Sequence, residues 1–420
     1  MLRLIQKAIR AEWPVRLARP LIGKFNPFLR EFRADPYPSY HALRSTNPVY
    51  FSPSLRGWVL TRYRDIAAVL QDPRFSVDRR QATLFQRLNL IGGMQPEFAA
   101  AVTSNLLMLD PPDHTRLRRL VSKAFTPRMV EQLRPRVQQI VDELLDIVEA
   151  RGEMDVIRDL AIPLPVIVIA EMLGVSPEDR QRLKEWSDAL TALVDPLQAE
   201  DGLRPAEEAY AQLTAYLRIV FAERRRVPRD DLITALVVAE EQGEHLTEAE
   251  LYSLCMLLLG AGNETTTNLI GNAVLALLRN PAECERLRAD PSLIRSAVEE
   301  FLRYDSPVQT TDRVATTDCE IDGHRISRGQ LVGLLLGAAN RDPEQFTDPD
   351  RLDLARPDND HVAFGHGAHF CLGAQLARVE AQVTLSTLLR RLPHFDGDRS
   401  PTAWKRSIVL RGLTSLRLTW

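Results

Sequence analysis

A ten-residue segment near the C-terminus constrains the fold of this chain more than any other. Residues 364–373 read Phe-Gly-His-Gly-Ala-His-Phe-Cys-Leu-Gly, and the amphipathic stretch 374–392 predicts a helix directly after them. Cys371 is therefore expected at a helix entrance, where the helix dipole and free backbone N–H groups favour a thiolate. The glycines allow unusual backbone angles and the close approach of a flat ligand. The alternative is a buried structural cysteine in a glycine-rich turn.

A second informative segment lies in the middle of a long predicted helix. Residues 247–250, Thr-Glu-Ala-Glu, form a capping box, and the helix is expected to run to Asn280. Halfway along it, residues 260–268 are poor helix formers, since each glycine costs about 1 kcal/mol relative to alanine. Small residues leave room for a ligand there, and the acid–alcohol pair Glu264 and Thr265 can pass protons into a dry site. The alternative is a polar kink in a core helix.

Two charged pairs stand at helical spacing elsewhere in the chain. Glu300 and Arg303 are three residues apart, and His114 and Arg118 are four apart after a helix start at 110–113. Taken alone, each pair is typical of a solvated helix face. Their positions along the chain, relative to the cysteine segment and the long predicted helix, favour a specific role over a solvated surface.

Together these segments resemble the cytochrome P450 family. Phe364, Gly367, Cys371 and Gly373 are similar to the Phe-x-x-Gly-x-x-x-Cys-x-Gly pattern of its haem-binding loop, and residues 261–266 resemble its oxygen-activation motif. The resemblance covers nearly the whole chain and implies haem b (iron protoporphyrin IX) as the cofactor. In that family a cysteine thiolate ligates the haem iron and favours O–O cleavage.

The resemblance implies a role for each matching residue. Cys371 is the implied iron ligand and metal-binding residue, Phe364 shields its sulfur, and Glu264 and Thr265 are the implied catalytic pair. The implied haem contacts, which include propionate-binding residues and loop glycines, are His114, Arg118, Ala261, Arg313, Phe364, Gly365, His369, Cys371 and Gly373.

The fold that the resemblance implies is mainly α, with small antiparallel β-sheets to one side. Haem is then expected between the long central helix and the helix that follows the cysteine loop. Glu300 and Arg303 are expected to join Arg356 in a structural triad that fixes the haem-binding core. No linker divides the chain, so we expect a basic N-terminal arm at 1–34 and a single haem-thiolate monooxygenase domain at 35–420.

The implied reaction is a monooxygenation. One atom of O2 enters a C–H or C=C bond of a lipophilic small molecule, two electrons arrive from outside, and the other oxygen leaves as water. The sequence shows no flavin, nucleotide or iron–sulfur motif, so a separate ferredoxin and its reductase are the expected electron donors. Three alternatives stay open: a peroxide-driven haem peroxygenase, a non-catalytic haem sensor or carrier, and a helical protein with an unligated Cys371. The Glu264–Thr265 pair speaks against the first.

Composition excludes other classes of protein. A net charge of −3 argues against a nucleic-acid partner. The four cysteines show no C-x-x-C spacing, which fits neither a disulfide framework nor a zinc site and favours the reducing cytoplasm. The arm is basic but has no apolar run of signal-peptide or transmembrane length, so neither secretion nor a membrane span is expected. We expect a monomer.

The rest of the chain predicts the surroundings of the site. Residues 49–51 and 58–61 predict two strands, and a turn at Asp322-Gly323 predicts a hairpin. The irregular segment 76–104 predicts a long functional or mobile loop, and the resemblance implies that this loop covers the substrate pocket. The apolar residues expected to line that pocket are Leu84, Phe85, Leu88, Leu90, Ile91 and Met94.

Four helices are expected between residues 130 and 225. The resemblance makes the last two, at 177–193 and 205–225, a lid with a hinge near Asp195-Pro196 and Gly202. Strand character at 408–410 suggests a segment that projects into the pocket. Four surface cations form either a patch for an acidic redox partner or a solvated face. They are Arg116, Arg119, Lys123 and Arg128.

Overall fold

The structure is a computed structural model of the chain, and it is mainly helical. It describes residues 25–53, 55–88, 95–193, 203–241, 246–392, 394–400 and 403–420. The α-helices of this part of the chain are α1 (Arg30–Ala34), α2 (Tyr37–Thr46), α3 (Tyr63–Gln71), α4 (Thr83–Leu88), α5 (Pro96–Thr103), α6 (Asp113–Ser122), α7 (Pro127–Glu149), α8 (Pro163–Leu173), α9 (Arg180–Leu190), α10 (Arg204–Arg226), α11 (Leu232–Glu241), α12 (Glu248–Arg279), α13 (Pro281–Ala289), α14 (Ile294–Tyr304), α15 (Leu336–Ala339) and α16 (Ala374–Arg391).

The strands are short. They are β1 (Val49–Ser52), β2 (Gly57–Leu60), β3 (Phe75–Ser76), β4 (Glu153–Asp155), β5 (Thr311–Ala315), β6 (Cys319–Ile321), β7 (His324–Ile326), β8 (Leu331–Leu334), β9 (Asp396–Gly397) and β10 (Arg417–Thr419). One sheet has the order β1-β2-β8-β5-β3, and β6 and β7 form the predicted hairpin. The expectation of antiparallel sheets is wrong at one place, because β2 and β8 are parallel. Parallel neighbours need a long crossover, which the chain between residues 60 and 331 supplies.

The described residues fall into two compact units. The first takes the described residues within 25–90, 268–371 and 396–416, and the second takes those within 91–267, 372–395 and 417–420. The mixed sheet belongs to the first unit, where Leu60 and Leu334 from its strands pack with Ile66 of α3 in one apolar core.

Aromatic side chains form a second core cluster in the first unit. Phe25 and Phe32 are buried with Tyr37 and Tyr40 of α2. The rings of Phe32 and Tyr40 meet edge to face at 5.6 Å, a favoured arrangement for aromatic pairs. This cluster holds α1 against α2.

Glu300 of α14 is the centre of a buried charge network in the first unit. Arg303 donates to its two carboxylate oxygens at 2.7 and 2.8 Å, and Arg356 donates to the same oxygens at 3.1 and 3.2 Å. Glu300 and Arg303 are both 0% exposed. The amide of Asn359 and the N–H of Asp353 also donate to this carboxylate. The predicted triad is therefore confirmed.

Helices α7 and α16 pack together in the second unit through polar as well as apolar contacts. Arg134 donates to the Gln382 side chain at 3.0 Å, and Gln138 donates to the Thr387 hydroxyl at 2.9 Å. Glu380 of α16 is 2% exposed, and one of its carboxylate oxygens has no hydrogen-bond partner among the described residues. Burial raises the pKa of Glu380 to about 8.

Arg224 of α10 ties three helices of the second unit together. Its guanidinium donates to the Asp231 carboxylate before α11 and to the Gly174 carbonyl after α8, both at 2.6 Å. Gly174 has φ +74, and a Cβ there would stand 2.0 Å from an Asp231 carboxylate oxygen. A side chain at this position is therefore excluded by both backbone angle and space.

Two regions differ from the sequence prediction. Residues 76–104, expected as one long loop, contain α4 and α5, and Pro96 begins α5 because proline suits a first helical turn. Helix α11 is absent from the prediction, since its nearly continuous apolar sequence shows no amphipathic period. Its one local signal is Asp231, whose carboxylate accepts the N–H of Thr234 at 2.7 Å.

Some predictions concern residues that form no regular secondary structure or that lie outside the described residues. Residues 408–410 form no strand, and Leu410 makes only an isolated bridge to Val308. The expected hinge at Asp195-Pro196 and Gly202, residues 1–24 of the arm, and the pocket residues Leu90, Ile91 and Met94 lie outside the described residues. Among the helices of the described ranges, none is both long and apolar enough to span a membrane.

Replacing Glu300 tests the buried charge network. Glu300→Gln leaves the Arg303 and Arg356 guanidinium groups without an anion, and breaking a buried pair in this way destabilises by about 3–5 kcal/mol. We expect a loss of that size in the free energy of unfolding, measured by urea denaturation. The control is Glu208→Gln, which breaks an exposed pair with Arg204 and should change little. Equal losses in the two variants would contradict the central role of Glu300.

Glu380 predicts a pH dependence of stability. Its folded pKa of about 8 lies above the ordinary value of 4.5, so between these values the folded protein holds a proton that the unfolded chain has released. The stability contributed by this proton is complete below the unfolded pKa and is lost as the pH rises towards about 8, by about 1.4 kcal/mol per pH unit.

Glu380→Gln keeps the shape of the side chain but cannot ionise. We therefore expect this variant to show a flatter dependence and to be the more stable protein at about pH 8, measured by urea unfolding across the range. Parallel curves for the variant and the parent would show that Glu380 does not titrate as proposed.

Candidate active site

The cysteine loop, in the first unit, is held by its own backbone. The N–H of Cys371 donates to the carbonyl of Phe364 at 2.9 Å, and the N–H of Phe370 donates to that of Gly367 at 3.1 Å. Cys371 is exposed, and α16 begins three residues later at Ala374. The predicted place of Cys371 just before a helix is confirmed. A loop fixed by these bonds holds its thiol in one position.

The glycine at 367 shows why the loop needs its glycines. Gly367 has φ +70, and a Cβ there would stand 2.7 Å from the carbonyl oxygen of Leu70 at the end of α3. Only glycine fits both the backbone angle and this contact. The loop is thereby pressed onto α3, and the half-buried Phe364 ring lies 6.1 Å from the ring of Phe370.

Asn340 connects this loop to the buried charge network, a role that the sequence analysis missed. Its side-chain oxygen accepts the N–H of Val362 at 2.8 Å, and its carbonyl accepts a hydrogen bond from Arg303 at 2.9 Å. Its amide donates to Ser306 at 2.8 Å. The sequence around Asn340 carries no local signal for this role, because all three partners are distant in sequence.

The other predicted residues of the first unit occupy defined positions. Arg313 is buried on β5 and donates to the carbonyl of Asp312 at 2.8 Å. His369 is half-buried at the end of a short 3₁₀ turn that begins at Gly367, and Gly365 precedes this turn with φ +71. In the second unit, Gly373 is the residue before the first turn of α16.

The start of α12 is fixed as the sequence predicts. The N–H of Thr247 donates to the Glu250 carboxylate at 2.8 Å, and the N–H of Glu250 donates to the Thr247 hydroxyl at 3.2 Å, which confirms the capping box. Arg116 of α6 donates to the same carboxylate. Arg116 is thus engaged in a structural ion pair rather than in the exposed basic patch, whose other members remain exposed; they are Arg119, Lys123 and Arg128.

The middle of α12 has an open face in a helix that is otherwise buried. A Cβ placed on Gly260 or Gly262 would meet no atom of the described residues within 4 Å. Ala261 is exposed, and Glu264 and Thr265 are half-buried. The hydroxyl of Thr265 donates to the carbonyl of Ala261 at 2.8 Å, a bond that tends to bend a helix. The small residues therefore leave one side of this turn accessible.

His114 and Arg118 lie one turn apart on α6. His114 is buried and Arg118 is half-buried. Burial, and then the charge of Arg118, lower the pKa of His114, while Asp110 opposes them. This lowered pKa favours the neutral imidazole, which has one ring N–H to donate.

These residues fit the haem that the sequence suggested. An exposed thiol on a rigid loop is a suitable iron ligand. The open face at Gly260 and Gly262 suits a flat ligand. Cationic and imidazole donors suit its carboxylates, and these are His114, Arg118, Arg313 and His369. Phe364 and Cys371 are joined within the first unit, and Ala261, Glu264 and Thr265 share one helical turn in the second.

The chain is similar to known proteins over most of its length. Residues 59–412 match the family described as Cytochrome P450. Cytochrome P450 107B1 of Saccharopolyspora erythraea is 46% identical over 86% of this chain and 89% of its own length. Cytochrome P450 monooxygenase PikC of Streptomyces venezuelae is 42% identical over 96% and 95% of the two chains. A crystal structure of P450BioI in complex with an acyl carrier protein ligated to hexadec-9Z-enoic acid has 42% identity and a TM-score of 0.86, covering 93% of this chain and 99% of that chain.

The similarity extends over most of the chain and includes the fold, so it does not rest on a single motif. The family match takes in residues of both compact units, and the mainly helical fold with small sheets agrees with the solved structure. Haem b is therefore the cofactor, and O2 and electrons from redox partners are needed for turnover. The chain belongs to the cytochrome P450 family and is a haem monooxygenase that acts on a lipophilic organic molecule.

Proposed function

We propose that Cys371 is the axial ligand of the haem iron. The observation that carries this proposal is its exposed thiol at the end of a hydrogen-bonded loop. The other cysteines are unsuited, because burial raises the pKa of Cys255 to about 12 and also raises the pKa values of Cys284 and Cys319. When bound, a haem with a thiolate ligand supplies the activation of O2.

The haem carboxylates are held by basic residues from three places in the chain. Arg313 and Arg118 supply permanent positive charge, and His114 and His369 supply ring N–H donors. Burial and the charge of Arg118 lower the pKa of His114, which favours the neutral ring that would donate an N–H to a haem carboxylate. Gly365 and Gly373, which have no side chain, would let the bound haem approach the main chain closely.

Glu264 and Thr265 move the protons. The Thr265 hydroxyl donates to the Ala261 carbonyl, so its oxygen lone pairs can accept a hydrogen bond from a group on the open face, and rotation of the hydroxyl away from Ala261 turns it into a donor there. Glu264, the next residue in the chain, is half-buried and is therefore able to exchange protons with solvent. The open face beside them admits the reacting molecules. This turn thus carries protons to the side where O2 is reduced.

The partners follow from the same chemistry. A ferredoxin, reduced by its reductase, delivers the electrons, and the exposed residues Arg119, Lys123 and Arg128 attract its acidic surface.

Residues 35–420 act as one haem domain, which the family match over both compact units supports. The four free cysteines agree with the reducing cytoplasm, where the protein acts as a monomer. Acyl chains are candidate substrates, as in the P450BioI complex.

Replacing Cys371 tests the iron ligand. Cys371→Ser removes the thiolate, so we expect the haem-loaded protein to lose the long-wavelength Soret band that reduced, CO-treated haem-thiolate proteins show. The control is Cys319→Ser, which changes a half-buried cysteine on the β6–β7 hairpin and should leave the spectrum unchanged. An unchanged spectrum in Cys371→Ser would refute the assignment.

Replacing Thr265 tests proton delivery and separates the monooxygenase from a peroxygenase. In Thr265→Ala we expect the hydrogen peroxide released per NADPH oxidised to rise by about tenfold, because oxygen reduction then ends without the second proton transfer. The assay uses a plant ferredoxin and its reductase as donors and hexadec-9-enoic acid as the probe substrate. Parent protein that oxidises the probe with peroxide alone, and ignores the reductase, would favour the peroxygenase.

A further inference from the structure

A polar contact inside the second unit links α9 to α12 next to the proposed proton-delivery pair. The hydroxyl of Ser187 donates to the carbonyl of Leu259 at 3.0 Å and accepts a hydrogen bond from the side-chain amide of Asn263 at 3.2 Å. Ser187 is 3% exposed and Asn263 is 4% exposed. We call these two side chains and the Leu259 carbonyl the polar latch.

The surroundings of the latch are apolar. On α9, Ser187 shares the buried face with Leu183, Trp186 and Leu190. The side-chain oxygen of Asn263 is also buried, and it accepts no hydrogen bond from the described residues. An unsatisfied buried oxygen destabilises a fold, so an apolar pair of similar volume would serve stability at least as well. Stability alone therefore does not account for the latch.

The position of the latch on α12 indicates what it does. Successive helical residues point about 100° apart, so Asn263 faces α9 while Glu264 and Thr265 face the open side. One turn further on, the hydroxyl of Thr267 donates to the carbonyl of Ala161 at 2.9 Å. These two contacts fix the rotation of a turn that Gly260 and Gly262 would otherwise leave weak.

We propose that Ser187 and Asn263 are positioning residues that hold Glu264 and Thr265 in the orientation for proton transfer. The proposal rests on the proposed role of those two residues. Without the latch, the turn keeps its sequence but loses the contact that sets its angle and depth relative to α9. Proton transfer depends steeply on donor geometry, so it slows even when the helix stays folded.

Cumene hydroperoxide tests the proposal, since it needs no electron donor and no natural substrate. If its O–O bond breaks with both electrons on the departing oxygen, that oxygen takes a proton and leaves as cumyl alcohol, while the haem would take up the other oxygen atom and supply two electrons. If the bond breaks evenly, the haem would supply one electron, and the cumyloxyl radical loses a methyl radical and gives acetophenone. The ratio of alcohol to ketone, measured on the haem-loaded full chain, therefore reports proton delivery.

We expect Ser187→Ala to lower this ratio by about fivefold, the effect of losing one buried hydrogen bond. Ser187→Thr, which keeps the hydroxyl, should restore it. Asn263→Leu breaks the Asn263–Ser187 bond and keeps the Ser187–Leu259 bond, so it should lower the ratio by no more than Ser187→Ala does. The double variant should match Ser187→Ala, because that change already removes both bonds of the latch. Should one variant fail to fold, the other carries the test.

Ser253→Ala is the matched control. Its hydroxyl is also buried on α12 and donates to a backbone carbonyl, that of Ala101, at 2.9 Å. It stands about three turns before Glu264, so its loss should leave the ratio unchanged. An equal fall in Ser253→Ala and Ser187→Ala would overturn the proposal, since any weakening of α12 would then suffice.

Amide hydrogen exchange gives a reading that does not depend on turnover. We expect Ser187→Ala to raise exchange over residues 259–267 by about fivefold, with Ser253→Ala affecting the start of α12 instead. Faster exchange at 259–267 with an unchanged product ratio would leave Ser187 a structural role only. Thr265→Ala is the benchmark: if it too leaves the ratio unchanged, the proposed function fails, whereas a fall in Thr265→Ala alone refutes only the latch.

Discussion

The ionic contact between Glu300 and Arg303 is the constraint on which the geometry of the cysteine loop depends. Both groups are fully buried, so the carboxylate must find all its donors within the protein, and Arg356 and Asn359 supply them. Arg303 then reaches the carbonyl of Asn340, whose side chain holds the N–H of Val362. The position of the cysteine loop therefore depends on this charge network. The network cannot shift without leaving a buried charge unpaired.

The middle of helix α12 is held by contacts with other segments, because its own sequence favours a helix only weakly. Its middle turn combines two glycines with a hydroxyl that bonds back to Ala261, and both features weaken a helix. The helix nevertheless holds its place because side chains in and just after this turn bond to neighbouring segments. Asn263 reaches Ser187 and Thr267 reaches Ala161. Tertiary contacts therefore replace local stability at the turn that carries the small residues.

The sequence predicts the parts of this fold that depend on neighbouring residues. The capping box at Thr247 and the hairpin at Asp322-Gly323 could be predicted because the residues that each one joins lie within a few positions of each other. The Glu300–Arg303 pair could be located for the same reason, and Cys371 because its loop is encoded in ten residues. Asn340 could not, since its bonds join segments far apart in the chain. Helix α11 was missed because its nearly continuous apolar sequence shows no amphipathic period.

The cysteine loop and the middle turn of α12 differ in what fixes them. Within the cysteine loop the bond from Cys371 to Phe364 runs between backbone groups and Gly367 must lack a side chain, while the Asn340 side chain holds the segment before the loop at Val362. Around Thr265 the bonds run from side chains to backbone carbonyls, so the identity of each hydroxyl or amide matters. A new side chain harms the cysteine loop by occupying space, whereas at α12 the loss of a polar atom is enough, even when the volume is kept. The cysteine loop therefore has a motif that is visible in the sequence, while the middle turn of α12 is held by residues such as Ser187 that only the structure reveals.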